Sequence, residues 1–242
     1  MSQLNAAERL IFPLDVASIE EANHYIKLLD GVVSFFKIGM ELQMVTTPDF
    51  IQALIDSGKR IFLDYKYLDI PATVERAVRR VSEMGVSFLT IHGNTANNRA
   101  AVAGRGDSDL KIMAVTVLTS LNREDLKAFF GWSGTVEELV LQRAKSAMDA
   151  GCDGVIASGA ETRAIKKLTQ DKLLIVTPGI RPAGYQEDDQ KRRMTAEQAI
   201  KAGADYLVIG RPIRDADDPR TKALEFIEEM EGAFRLRGLL HG

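Results

Sequence analysis

Asp64 and Lys66 stand two residues apart at the end of Arg60-Ile-Phe-Leu-Asp64, a run that reads as a buried strand, and Asp69 follows three positions later. In an extended chain residues i and i+2 share a face, so Asp64 and Lys66 are expected to point the same way, with Asp69 completing an Asp, Lys, Asp cluster. Three other short apolar runs also end on polar residues, at Asp15, Lys37 and His92. The signs alternate among Asp15, Lys37, Asp64 and Lys66, so that in one cavity each charge would offset the burial cost of the next. Carboxylates beside an amine favour its charged form, which makes Lys66 a candidate general acid next to a repelled anion. A single Asp/Lys pair would read as a structural ion pair; four alternating charges at neighbouring strand ends read as a site.

A second group reads as an anion site. Thr177-Pro178-Gly179-Ile180-Arg181-Pro182 follows one apolar run, and Ile209-Gly210-Arg211-Pro212 ends the last. Gly210 allows close backbone approach, Pro212 suits the first turn of a short helix whose N–H groups would face a ligand, and Arg211 offers a planar charged fork. A dianionic phosphate is the expected ligand. His24, His92 and His241 lack the spacing of a zinc site, and His92 reads as a hydrogen-bonded strand residue. Cys152, the single cysteine, opens a buried strand and reads as a small core residue. No G-x-G-x-x-G follows the first strand, which disfavours a nicotinamide enzyme. No metal is called for.

The elements that must position these residues show in a repeat. Gly31 to Gly39, Gly85 to Gly93, Gly151 to Gly159 and Gly203 to Gly210 share one plan: glycine, a short apolar run, glycine. The first glycine suits a helix C-terminal cap, the run a strand buried on both faces, and the second a tight strand-to-helix turn. Between these blocks lie further strands at Arg60–Asp64, Lys111–Leu118 and Lys172–Pro178, and Arg9–Asp15 precedes them all, giving eight in total. Helices are expected over 18–29, 70–83, 135–150, 195–201 and 219–234, and surface loops over 104–109 and 180–194. Strict alternation of eight strands with helices in 242 residues reads as a single (β/α)8 barrel spanning 1–242, with chemistry at the C-terminal strand ends.

Composition narrows the partners. With 45% hydrophobic and 27% charged residues the chain is globular, and a net charge of −3 gives no basic field for nucleic acid. No apolar run is long enough to span a membrane, and the first residues carry no signal-peptide core, so a cytoplasmic protein acting on a small molecule is expected.

Taken together, Pro13-Leu14-Asp15, Phe36-Lys37-Ile38-Gly39, Leu63-Asp64-Tyr65-Lys66-Tyr67-Leu68-Asp69-Ile70-Pro71, Val115 to Ser120, Thr177 to Pro182, Asp189-Gln190 and Ile209 to Pro212 closely resemble the bacterial-type orotidine 5′-phosphate decarboxylase family. The resemblance covers nearly the whole chain and implies decarboxylation of orotidine 5′-monophosphate to uridine 5′-monophosphate without metal or cofactor. It implies that Lys66 donates the proton to C6, Asp64 sits against the substrate carboxylate, Lys37 completes the network and reaches the ribose, and Asp15 binds a ribose hydroxyl. Asp69, Ile70 and Thr73 are implied to enter the neighbouring subunit's site in a homodimer. Thr119, with Ser120, would meet the base, while Arg181, Gln190, Gly210 and Arg211 would surround the phosphate under a lid over 180–194. Binding energy at the remote phosphate would drive lid closure, so loss of Arg211 is expected to harm more than affinity. Tyr65, Leu68 and Ala72 stand where the family usually has Leu, His and Asn, and the Ser158 to Glu161 turn is slightly altered; no charge of the network is lost. The competing readings are a Mg2+-dependent sugar-phosphate lyase or synthase on the same barrel and a nucleotide-binding protein without catalysis.

Overall fold

The computed structural model describes residues 5–184 and 194–240. Its strands are β1 (Leu10–Pro13), β2 (Phe35–Ile38), β3 (Arg60–Tyr67), β4 (Phe88–His92), β5 (Lys111–Val115), β6 (Gly154–Ile156), β7 (Leu174–Thr177) and β8 (Tyr206–Val208). Each pairs in parallel with the next, and β1 pairs with β8, so the sheet closes into a (β/α)8 barrel. The helices are α1 (Ile19–Leu28), α2 (Met40–Gln43), α3 (Pro48–Asp56), α4 (Pro71–Ser82), α5 (Thr95–Arg105), α6 (Arg123–Phe130), α7 (Val136–Ala150), α8 (Gly159–Thr169), α9 (Ala196–Ala202), α10 (Arg211–Arg214) and α11 (Pro219–Leu240).

Alternation along the strands sorts the core into two layers. Ile11, Phe35, Phe62, Phe88, Met113, Val176, Tyr206 and Val208 fill the barrel, while the intervening Phe12, Phe36, Ile61, Leu63, Leu89 and Leu207 face the helices. Inside, the Phe88 ring stands edge-on to Phe35 at 5.0 Å and to Tyr206 at 5.1 Å. The Arg60 guanidinium lies 4.1 Å from the centre of the Phe35 ring, and Arg9 lies over Tyr206. Guanidinium groups on aromatic faces thus close the N-terminal end of the barrel.

The helix signals are met residue by residue. Ser18, Thr135 and Thr195 cap α1, α7 and α9 through their hydroxyls, and the last two form reciprocal pairs with Glu138 and Gln198. Gly151 and Gly203 end α7 and α9 at φ of 84° and 118°, a region open to glycine at little cost.

Several boundaries differ from the sequence reading. β1 ends at Pro13, so Asp15 lies in the turn beyond it, and β5 ends at Val115 instead of Leu118. Gly104 and Arg105 belong to α5, not to a loop: a Cβ on Gly104 would lie 2.3 Å from the Glu75 carbonyl oxygen, so glycine lets α5 rest directly on α4. α11 continues six residues past the expected Phe234. Of the expected lid, only 180–184 and Met194 fall within the described residues; Ile180 and Met194 form a β-bridge, which joins its two ends.

Candidate active site

A cavity of ≈ 480 Å³ opens at the C-terminal end of the barrel. The apolar side chains of Phe62, Ile156 and Val208, drawn from the barrel's own filling, line it together with Pro13, Val115 and Val117. Into it project Asp15, Lys37, Asp64 and Lys66 from the first three strands or just beyond, and Thr119, Ser120, Gly179, Arg181, Gly210, Arg211 and Arg214 from the later ones. Both residue groups predicted from the sequence therefore meet in one place.

The charges form a chain. Lys37 Nζ lies 3.0 Å from Asp15 Oδ1 and 3.4 Å from Asp64 Oδ2, and Lys66 Nζ lies 2.8 Å from Asp64 Oδ1. Burial by itself would drive the Lys37 amine to lower values, but Asp64 and Asp15 outweigh it and hold the group above its ordinary range. Burial likewise works to raise the Asp64 carboxyl; Lys37, Lys66 and hydrogen bonds from Lys66 and Thr90 reverse this and hold it below. The result is a Lys37 and Asp64 pair in which each partner holds the other charged at neutral pH. Gly39 keeps it compact, because a Cβ there would lie 3.0 Å from both Asp15 Oδ1 and Lys37 Nζ.

Lys66 reaches Asp64 by a route other than simple alternation. The pairing of β3 with β4 shifts register between Leu63 and Tyr67, and Lys66 sits at φ 49°, in the left-handed region. That conformation costs a non-glycine residue roughly 1–2 kcal/mol. Thr90, fully buried on β4, accepts a hydrogen bond from the Lys66 N–H at 2.9 Å and donates one to Asp64 Oδ1 at 3.0 Å. The sequence reading missed Thr90, although a lone hydroxyl in Phe88-Leu-Thr-Ile91 was a signal.

Asp69 does not join the cluster. Its carboxylate accepts the Ile70 N–H at 2.6 Å and is exposed, because Ile70 turns the chain out of β3 before Pro71 starts α4. None of Asp69, Ile70 and Thr73 lines the cavity of its own chain. Ile70 is 66% and Leu68 61% exposed, which leaves an apolar shoulder beside Asp69.

Around the expected anion site, Arg181 is buried and its backbone N–H donates to Met194 O at 3.0 Å. Gly210 precedes α10; a Cβ there would lie 2.8 Å from Pro13 Cγ, so close approach to β1 is one reason for glycine. Arg214, a second arginine that the sequence reading passed over, follows Arg211 by three residues and donates to Asp15 O at 3.1 Å. Gln190 lies outside the described residues. Among the described residues His92 has no side-chain hydrogen-bond partner, contrary to expectation; burial, then Arg143 and Lys66, hold it below its ordinary value and hence mostly neutral at pH 7. Burial pushes the Cys152 thiol up to about 12, in keeping with a core role. Among the described residues no three His, Cys, Asp or Glu side chains gather into a metal-holding group, and no helix is long and apolar enough to cross a membrane.

Known proteins are similar to this chain over most of its length. The chain is 51% identical over 230 residues to an orotidine 5′-phosphate decarboxylase of Nitrobacter winogradskyi, covering 95% of both. It is 46% identical to one from Methylococcus capsulatus, covering 90% of this chain and 89% of the relative. The crystal structure of orotidine 5′-phosphate decarboxylase from Lactobacillus acidophilus superposes with a TM-score of 0.81 at 33% identity, covering 92% of this chain and 99% of that one. Residues 8–226 match the family described as "Orotidine 5'-phosphate decarboxylase / HUMPS family"; on that match and these identities, the chain belongs to this family.

Proposed function

We propose that this chain decarboxylates orotidine 5′-monophosphate to uridine 5′-monophosphate and CO2, in the cytoplasm, as a homodimer and without metal or cofactor. The observation that carries the reading is the unbroken chain Asp15, Lys37, Asp64, Lys66 in the same cavity as Arg181, Gly210 and Arg211. Phosphate is held by Arg181, Gly210 and Arg211, together with Gln190; Thr119 and Ser120 meet the base; Asp15 and Lys37 take the ribose hydroxyls. That placement sets the substrate carboxylate against Asp64. The C6–carboxylate bond breaks, CO2 leaves, and the electron pair stays at C6 in the ring plane, beyond ordinary π delocalisation. Lys66, as its ammonium, stabilises that charge and transfers a proton to C6, leaving the neutral amine; a proton taken from solvent then restores the ammonium. Asp69, Ile70 and Thr73 complete the partner subunit's site, a role suited to their position outside their own cavity and to the apolar shoulder of Leu68 and Ile70.

The test is loss of the ultraviolet absorbance of orotidine 5′-monophosphate in excess EDTA, with wild type beside Lys66→Ala. Wild-type turnover is expected, with a fall of at least about 10²–10⁴-fold in the variant, the usual worth of a positioned general acid. No wild-type turnover would overturn the proposal. Activity that appears only with Mg2+ and a ketose phosphate would assign the chain to the metal-dependent sugar-phosphate branch.

A further inference from the structure

The register shift in β3 leaves the Lys66 N–H without a strand partner, in a backbone conformation that a lysine adopts only under constraint. A single atom answers it. Thr90 Oγ1 accepts that N–H at 2.9 Å and donates its own O–H to Asp64 Oδ1 at 3.0 Å, while the same Oδ1 lies 2.8 Å from Lys66 Nζ. Backbone and side chain of Lys66 are thus tied into one ring through Thr90 and Asp64. Thr90 is 0% exposed and does not line the cavity, so it does not touch a ligand there. A hydroxyl that both accepts and donates is required at this point; an apolar group would leave a buried N–H and one carboxylate lone pair unsatisfied.

We infer that Thr90 is a positioning residue, which holds Lys66 in its left-handed conformation and fixes Asp64 against it, so that the Lys66 amine is aimed at the reacting carbon. The inference rests on the decarboxylase reading only for the reaction it serves; the geometric role stands apart from it.

Two variants, beside wild type, test it: Thr90→Val, which keeps the shape and removes the hydroxyl, and Thr90→Ser, which keeps the hydroxyl. Thr90→Val is expected to lower kcat about 10- to 100-fold, the worth of a hydrogen bond to a charged group. Its KM, and its Kd for uridine 5′-monophosphate, should stay within about twofold of wild type, because the role is felt in the reaction and not in binding. Thr90→Ser should recover most of kcat. The inference falls if Thr90→Val keeps wild-type kcat, if it loses nucleotide binding in step with kcat, or if Thr90→Ser fails as badly as Thr90→Val. A crystal structure of Thr90→Val adds a readout independent of turnover: Lys66 should leave φ 49° and its 2.8 Å contact with Asp64. Retention of both would overturn the inference even in an active enzyme. Wild type inactive on orotidine 5′-monophosphate would instead overturn the decarboxylase reading, and the crystal geometry would still judge Thr90.

Discussion

Lys37 and Asp64 are shifted in opposite directions, and each shift widens the pH range over which the network stays charged. Asp64 is held below 3.8, so its stabilisation is present above that ordinary value and is lost as pH falls through the lower folded one. Lys37 is held above 10.5, so its contribution is complete below that value and disappears as pH rises through the higher folded one. A carbon-13 NMR titration of the Asp64 carboxyl should therefore have its midpoint below 3.8, and Lys37→Met should move it upward; a wild-type midpoint above 3.8 would refute the assignment. The four alternating charges were legible because strand ends carry them in sequence order. Thr90 and the turned backbone at Lys66 were not, since a register shift depends on how β3 pairs with β4. That Asp69 stands apart from Asp64 and Lys66 in its own chain was hidden for a related reason: its spacing from Lys66 says nothing of the turn that Ile70 and Pro71 impose.

The helices show how much of the fold rests on small residues at contacts. Hydroxyl caps and C-terminal glycines are local signals, so α1, α7 and α9 were readable to within a residue or two. α2 and α10, each one turn long, carry too few residues to show a periodic pattern. Gly104 looked like loop punctuation because glycine has no side chain to show a buried face; only the neighbouring helix reveals its purpose. Gly104→Ala should force α5 away from α4 and destabilise the fold by about 1–3 kcal/mol, read as a lower thermal midpoint. Gly232→Ala, in α11 where a Cβ would meet nothing within 4 Å, should be neutral or stabilising. Equal thermal midpoints for the two variants would refute the packing argument.

The closed barrel follows from strict alternation, which the repeated glycine-bounded strands made visible at the level of the entire chain. What no single sequence displays is a second copy. If each site takes Asp69 from its neighbour, Lys66→Ala and Asp69→Ala should each be nearly inactive alone, yet regain about a quarter of wild-type activity when equal amounts exchange subunits, since half the dimers then hold one intact site of two. No regain after exchange would refute a site shared between subunits. The aromatic filling of the barrel carries a separate consequence. Phe35, Phe62 and Phe88 are no more than 2% exposed, and Arg9 and Arg60 cover the far end. Among the described residues the cavity opens at the C-terminal end of the barrel. A nucleotide that enters phosphate and base together must leave the way it came, and under the proposed reaction CO2, released above Phe62, has no passage through the base. Under that reaction, substrate, product and CO2 all share the mouth lined by Asp15, Lys66, Arg181 and Arg211.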